Sequence, residues 1–90
     1  MIRISIPLTL RRFCGGEDSV QVRPGTVAEA IFQMQGRYHG VRERLCEANG
    51  RIRGSVLVFV NDQDIRFLGE QNTPLQSGDE VTIIPAFAGG

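Results

Sequence analysis

The residues able to do chemistry in this sequence are a lone histidine, two cysteines, a few carboxylates and a closing pair of glycines. His39 stands beside Gly40, with no cysteine, aspartate or second histidine at a spacing that suits a triad or a metal site. It reads as a surface histidine at a helix C-terminus, where the helix dipole favours its charge. Asp62 and Asp64 lie two apart between Asn61 and Gln63, which is turn chemistry rather than the full oxygen set of a calcium loop. Gly15-Gly16 lacks the following lysine and helix start of a phosphate-binding loop. Cys14 and Cys46 are too few and too far apart for a zinc ribbon or an iron–sulfur cluster. Cys14, in Phe13-Cys14-Gly15-Gly16, reads as an exposed turn thiol open to reaction, and Cys46 as a small hydrophobe in a helical stretch. All ten basic residues are arginine, so a Schiff-base lysine or a lysine nucleophile is excluded. The expectation is a protein with no catalytic residues, no metal and no bound cofactor of its own.

Gly89-Gly90 has a different kind of chemistry. Without side chains, an extended Gly-Gly can thread a narrow channel and present an α-carboxyl deep inside a partner. A bulky side chain at either position would collide with the channel walls, and the small Ala86 and Ala88 lengthen the slender section. The carboxyl is inert until a partner converts it to an acyl-adenylate, after which it is an electrophile. Ala88, Gly89 and Gly90 are therefore the residues expected to enter a partner, with Gly90 as the point of attachment.

The elements that must hold such an end can be read in order. Ile2, Ile4, Ile6 and Leu8 alternate with polar residues and Pro7, predicting a strand with one face on a core that frays or meets an unpaired edge at Pro7, which cannot donate to a ladder. Phe13 to Asp18 reads as the loop of a hairpin and Ser19 to Arg23 as its return strand. Thr26-Val27-Ala28-Glu29 fits a capping box. After it, Val27, Ala30, Ile31, Met34 and Tyr38 share one helical face. Gly40 ends the helix, and Val41 to Ala48 predicts a further short turn. Val56 to Val60 is the clearest strand, apolar on both faces. Ile65 to Phe67 predicts a short strand, and Glu80 to Pro85 the last one. The order β-β-α-β-β-β predicts an α+β fold: a mixed four- to five-stranded sheet with one main helix packed on one face, the β-grasp arrangement of ubiquitin. Residues 1–85 are expected to form that domain and 86–90 a flexible tail.

Net charge is zero, so neither nucleic acid nor an anionic membrane is an indicated partner. No apolar run reaches the ~20 residues of a membrane span, and the N-terminal residues lack a signal-like apolar block; a cytoplasmic address is expected. Arg37, Arg42, Arg44, Arg51 and Arg53 crowd the middle, while Asp62, Asp64, Glu70, Asp79 and Glu80 mark the last third. Two readings stand: two solvated faces, or an acidic third that docks a basic partner beside the tail. If Val56, Val58, Val60, Val81 and Ile83 face the core, Leu57, Phe59, Thr82 and Ile84 form an outer apolar patch leading to the tail. Leu57, Phe59, Ile84 and, above all, Phe87 are the expected docking residues.

The chain resembles the ubiquitin-like sulfur carriers of molybdopterin, thiamine and cysteine biosynthesis, and is most similar to the cysteine-biosynthesis carriers. The resemblance runs over nearly the whole length. It is carried by Ile4-Ser5-Ile6-Pro7 with Gly15-Gly16, by Val60 to Phe67, and most diagnostically by Gly78 to Gly90. It implies adenylation of Gly90 by an activating enzyme of the ubiquitin-E1-like type, which uses ATP, followed by thiocarboxylation. A sulfur-accepting, pyridoxal-phosphate-dependent cysteine synthase and a JAMM-type metalloprotease are the further partners it implies. Phe87 departs from the smaller residue expected at that tail position, which bears on the identity of the acceptor. The alternatives are the small subunit of molybdopterin synthase and a ubiquitin-like modifier conjugated through Gly90.

Overall fold

A computed structural model describes residues 1–85. The expected tail, residues 86–90, lies outside the described residues. The first strand, β1 (Ile2–Ser5), pairs antiparallel with β2 (Ser19–Val22) and buries Ile2 and Ile4 on its inner face. The helix α1 (Val27–Arg37) follows the two-residue strand β3 (Gly25–Thr26). Its start is the capping box read in the sequence: the Glu29 amide donates to Thr26 Oγ1 at 3.2 Å and the Thr26 amide donates to Glu29 Oε1 at 2.8 Å. Val27, Ala30, Ile31 and Met34 face the core, and Tyr38 packs partly against it. Gly40, at φ 91°, turns the chain into α2 (Val41–Leu45), a left-handed conformation that side chains rarely adopt.

The second half supplies β4 (Val56–Val60), β5 (Gln63–Asp64), β6 (Pro74–Leu75) and β7 (Glu80–Pro85). The main sheet runs β2-β1-β7-β4-β5, and β3 pairs with β6 in a small separate ribbon. β7 lies between β1, to which it is parallel (Ile4 opposite Val81), and β4, to which it is antiparallel (Val58 opposite Ile83). First and last strands therefore lie side by side at the centre of a mixed sheet, as the expected β-grasp order requires. Val20, Val22, Val56, Val58, Val60, Val81 and Ile83 join Ile2 and Ile4 beneath the helices in one continuous core. That cluster anchors β7 along its length, and β7 is the element that leads to residue 86.

Three local expectations are corrected. The strand stops at Ser5 instead of running on to Leu8, which is 75% exposed. Pro7 has no amide for a ladder, and the chain turns after it into a 3-10 helix, Leu8–Phe13, with the Leu10 amide donating to Pro7 O. Ile6, Leu10 and Cys14 then point inward together, one every four residues. Cys14 is accordingly buried, not exposed. Finally, Ile65–Phe67 is a 3-10 turn rather than a strand, started by Asp64 Oδ1 accepting from the Arg66 amide at 2.9 Å; Ile65 is buried but Phe67 is 83% exposed.

Burial pushes both thiols above their ordinary range, and at Cys46 the positive charges of Arg42 and Arg53 partly oppose that. A folded-state thiol pKa raised above its unfolded value supports the fold below the unfolded pKa and is lost as pH climbs through the folded one. The expected outcome is that, at mildly alkaline pH, iodoacetamide leaves both cysteines of the native protein unmodified and alkylates both in urea. Rapid labelling of Cys14 without denaturant would contradict its place in the core.

Candidate functional site

β7 alternates strictly: Val81 and Ile83 are buried, while Glu80, Thr82 and Ile84 project from the opposite face. β4 does the same, with Val56, Val58 and Val60 inside and Leu57 and Phe59 half-buried on the outer side. The register brings these outer residues together, with Leu57 directly opposite Ile84 and Phe59 opposite Thr82. The expected patch of Leu57, Phe59 and Ile84 is thus a single cross-strand surface. Ile84, 42% exposed, lies two residues before the first undescribed position. Phe87, Ala88, Gly89 and Gly90, the remaining residues singled out in the sequence, lie outside the described residues.

Polar pairs border the patch. Arg3 on β1 stands opposite Glu80 on β7 and forms an ion pair with it. On the other side, Asp64 stands opposite Phe59 and is held by Arg66, whose Nη2 lies 2.7 Å from its Oδ2 and whose Nε lies 3.0 Å from the same oxygen. The Arg66 side chain and amide hold the Asp64 carboxyl below the usual carboxylate range. An apolar centre ringed by charged groups is the ordinary anatomy of a protein-binding surface.

Two of the acidic residues, Asp79 and Glu80, lie at or just before the start of β7. Asp79 precedes the strand, where its Oδ1 accepts from the Asn61 side-chain amide at 3.2 Å and its Oδ2 from the Gln76 amide at 2.8 Å. Glu80 opens the strand, and a six-residue strand at ~3.3 Å per residue puts Pro85 roughly 17 Å away. The place beside the tail at which an acidic third was expected to dock a partner lies outside the described residues. What surrounds Pro85 is basic. An open cleft of about 550 Å³ there is lined by Arg12, Arg44 and Arg53, with Leu10, Phe13, Leu45 and Val56 beneath them. The sequence signal for it was the arginine-rich middle, but three separate segments contribute and only the fold unites them.

His39 is exposed after the end of α1. Among the described residues no cluster of histidine, cysteine and carboxylate groups could hold a metal ion. Among them, too, no helix is long and apolar enough to cross a membrane.

Comparison with known proteins finds similarity along nearly the whole chain. The description "ThiS family" matches residues 4–90, so the match includes the closing glycines. The sulfur carrier protein CysO of Mycobacterium tuberculosis is 40% identical over 91 aligned positions, spanning 99% of this chain and 98% of that protein. A chain in the crystal structure of the Amycolatopsis orientalis BexX/CysO complex superposes with a TM-score of 0.93 at 39% identity, covering 100% of both chains. Ubiquitin-related modifier 1 of Coprinopsis cinerea is 36% identical over 77% of this chain and 56% of its own length.

Proposed function

Because the chain belongs to the ThiS family, we propose that it is a sulfur carrier, not an enzyme, and that Gly90 is the carrying residue. The observation that carries the reading is the pairing of the family match through residue 90 with a central strand, Glu80–Pro85, that ends five residues before it. The chemistry requires a free α-carboxyl on Gly90. In the activating partner, a carboxylate oxygen attacks the α-phosphorus of ATP and pyrophosphate leaves, giving an acyl-adenylate. A sulfide-level donor then attacks the acyl carbon and AMP departs. The new C–S bond makes a thiocarboxylate, and no electrons change hands. The activating enzyme supplies the catalysis and this chain supplies the acyl group. ATP belongs to that partner.

The thiocarboxylate is a sulfur nucleophile on a folded handle, and the acceptor is a synthase that presents an electrophilic carbon. Similarity to the CysO carriers favours the cysteine route, with a pyridoxal-phosphate-dependent synthase and a JAMM-type metalloprotease as the later partners. Leu57, Phe59 and Ile84 would dock these enzymes, with Phe87 as the anchor nearest the glycines. Ile84→Ala is expected to raise the KM of activation roughly tenfold, as loss of one central interface side chain does, with little change in kcat or unfolding midpoint. An unchanged KM would remove Ile84 from the docking surface. The test of the reading itself is ATP–pyrophosphate exchange by an E1-like activating enzyme. Exchange should depend on this chain and disappear when the Gly90 carboxyl is amidated; exchange unaffected by amidation would overturn it.

Similarity to Ubiquitin-related modifier 1 favours a second reading, conjugation of Gly90 to lysines of other proteins. Its signature is distinctive. The last trypsin site is Arg66, so digestion would leave residues 67–90 on the modified lysine rather than a bare Gly-Gly.

A further inference from the structure

The basic cleft at the foot of β7 is not used by the chemistry above, yet Pro85, the last residue of the strand, lines it. Arg12 comes from the 3-10 helix, Arg44 from α2, and Arg53 from the segment before β4. All three are exposed, and among the described residues none has a carboxylate within ion-pair distance. They are nevertheless held in place. The Arg44 guanidinium lies 3.6 Å from the centroid of the Phe13 ring and that of Arg12 lies 4.9 Å from it, both within cation–π range. Arg53 donates from Nε and Nη2 to the Glu43 carbonyl at 3.1 and 2.9 Å. Guanidinium groups fixed before binding lose less freedom when they meet a partner, and their planar forks match carboxylates. Glu43 is the one carboxylate among the described lining residues, which carry a clear positive excess.

We propose that this cleft receives an acidic segment of the activating enzyme at the mouth of the channel that takes the tail; the partner's identity rests on the carrier reading. The floor of Leu10, Phe13, Leu45, Val56 and Pro85 accepts the apolar part of that segment, and the arginines pair with its carboxylates. Charge of this kind acts mainly through encounter and register, so it belongs in KM and not in the chemical step.

The test uses the full chain with Arg12→Glu and Arg44→Glu together, beside an Arg23→Glu/Arg37→Glu control with the same charge change outside the cleft. In the activation assay the cleft variant is expected to show KM raised roughly tenfold or more with kcat retained, and the ratio should shrink as salt rises. The control should stay within about twofold of wild type. Equal effects of both variants, or no effect of either, overturn the proposal. In a second arm without ATP, a short polyglutamate peptide is titrated while amide shifts are mapped, with polyglutamine for comparison. Saturable shifts confined to Arg12, Phe13, Arg44 and Arg53, absent in the cleft variant, are expected. Shifts spread over all arginines, or self-association of the chain through this face, overturn it. If wild type is not adenylated at all, the carrier reading fails, and the peptide arm still decides whether the cleft takes carboxylates.

Discussion

Replacing Gly89 with leucine is expected to slow sulfur loading of Gly90 by roughly a hundredfold or more, because small displacements of a reacting group from its productive position cost that much. The argument is steric. An extended chain without side chains passes a channel that an isobutyl group cannot enter, and the Gly90 carboxyl then stops short of the nucleotide. The fold should not register the change, since every core residue among the described residues lies at or before Ile83. Loading is followed by the rate of thiocarboxylate formation, and stability by the urea midpoint. Full-rate loading of the leucine variant would mean that the end is not threaded into anything narrow. A lowered midpoint would mean that Gly89 has a structural part to play.

Ile4→Ala is expected to have the opposite signature: a large loss of stability, with loading impaired only as far as the folded population falls. Ile4 is 1% exposed, paired with Val20 on one side and Val81 on the other. Removing its buried branches leaves a cavity between the central strands, and such truncations cost about 2–5 kcal/mol. A domain of this size has only about 5–15 kcal/mol in all. The urea midpoint should fall sharply while the slope of the transition stays the same. A small shift would imply that the sheet closes around the lost volume. The two variants separate the handle from the group it carries.

How much of this was legible in the sequence follows from where local signals and tertiary contacts agreed. The capping box at Thr26 and the apolar face from Val27 to Met34 are short-range patterns, and the helix formed where they predicted. Val56–Val60 and Glu80–Pro85 carry period-two burial with no proline before the last residue, and both strands kept their predicted bounds. Leu57, Phe59 and Ile84 could be placed on an outer face because alternation fixes sides; that Leu57 lies opposite Ile84 needed the register. The Ile2-Ile4-Ile6-Leu8 alternation runs past Pro7, where a ladder cannot continue, and the strand ends at Ser5, before the proline that marked its fraying point. The competing four-residue recurrence of Ile6, Leu10 and Cys14 was present in the sequence and would have predicted both the helical turn and the buried thiol. At Ile65 the cue was Asp64, whose side chain caps a turn in place of extending a strand. The arginine-rich middle hinted at the basic cleft through Arg44 and Arg53, but Arg12 joins them only through the packing of three segments.

The most direct measurement of the central claim is the intact mass of the protein after incubation with its activating enzyme, ATP and a sulfide donor. The account predicts the increment of one oxygen exchanged for sulfur, located at Gly90 by fragmentation and absent when ATP is withheld. A mass that stays unchanged under conditions where the enzyme consumes ATP on this chain, or a sulfur found on Cys14 or Cys46 instead, would contradict it.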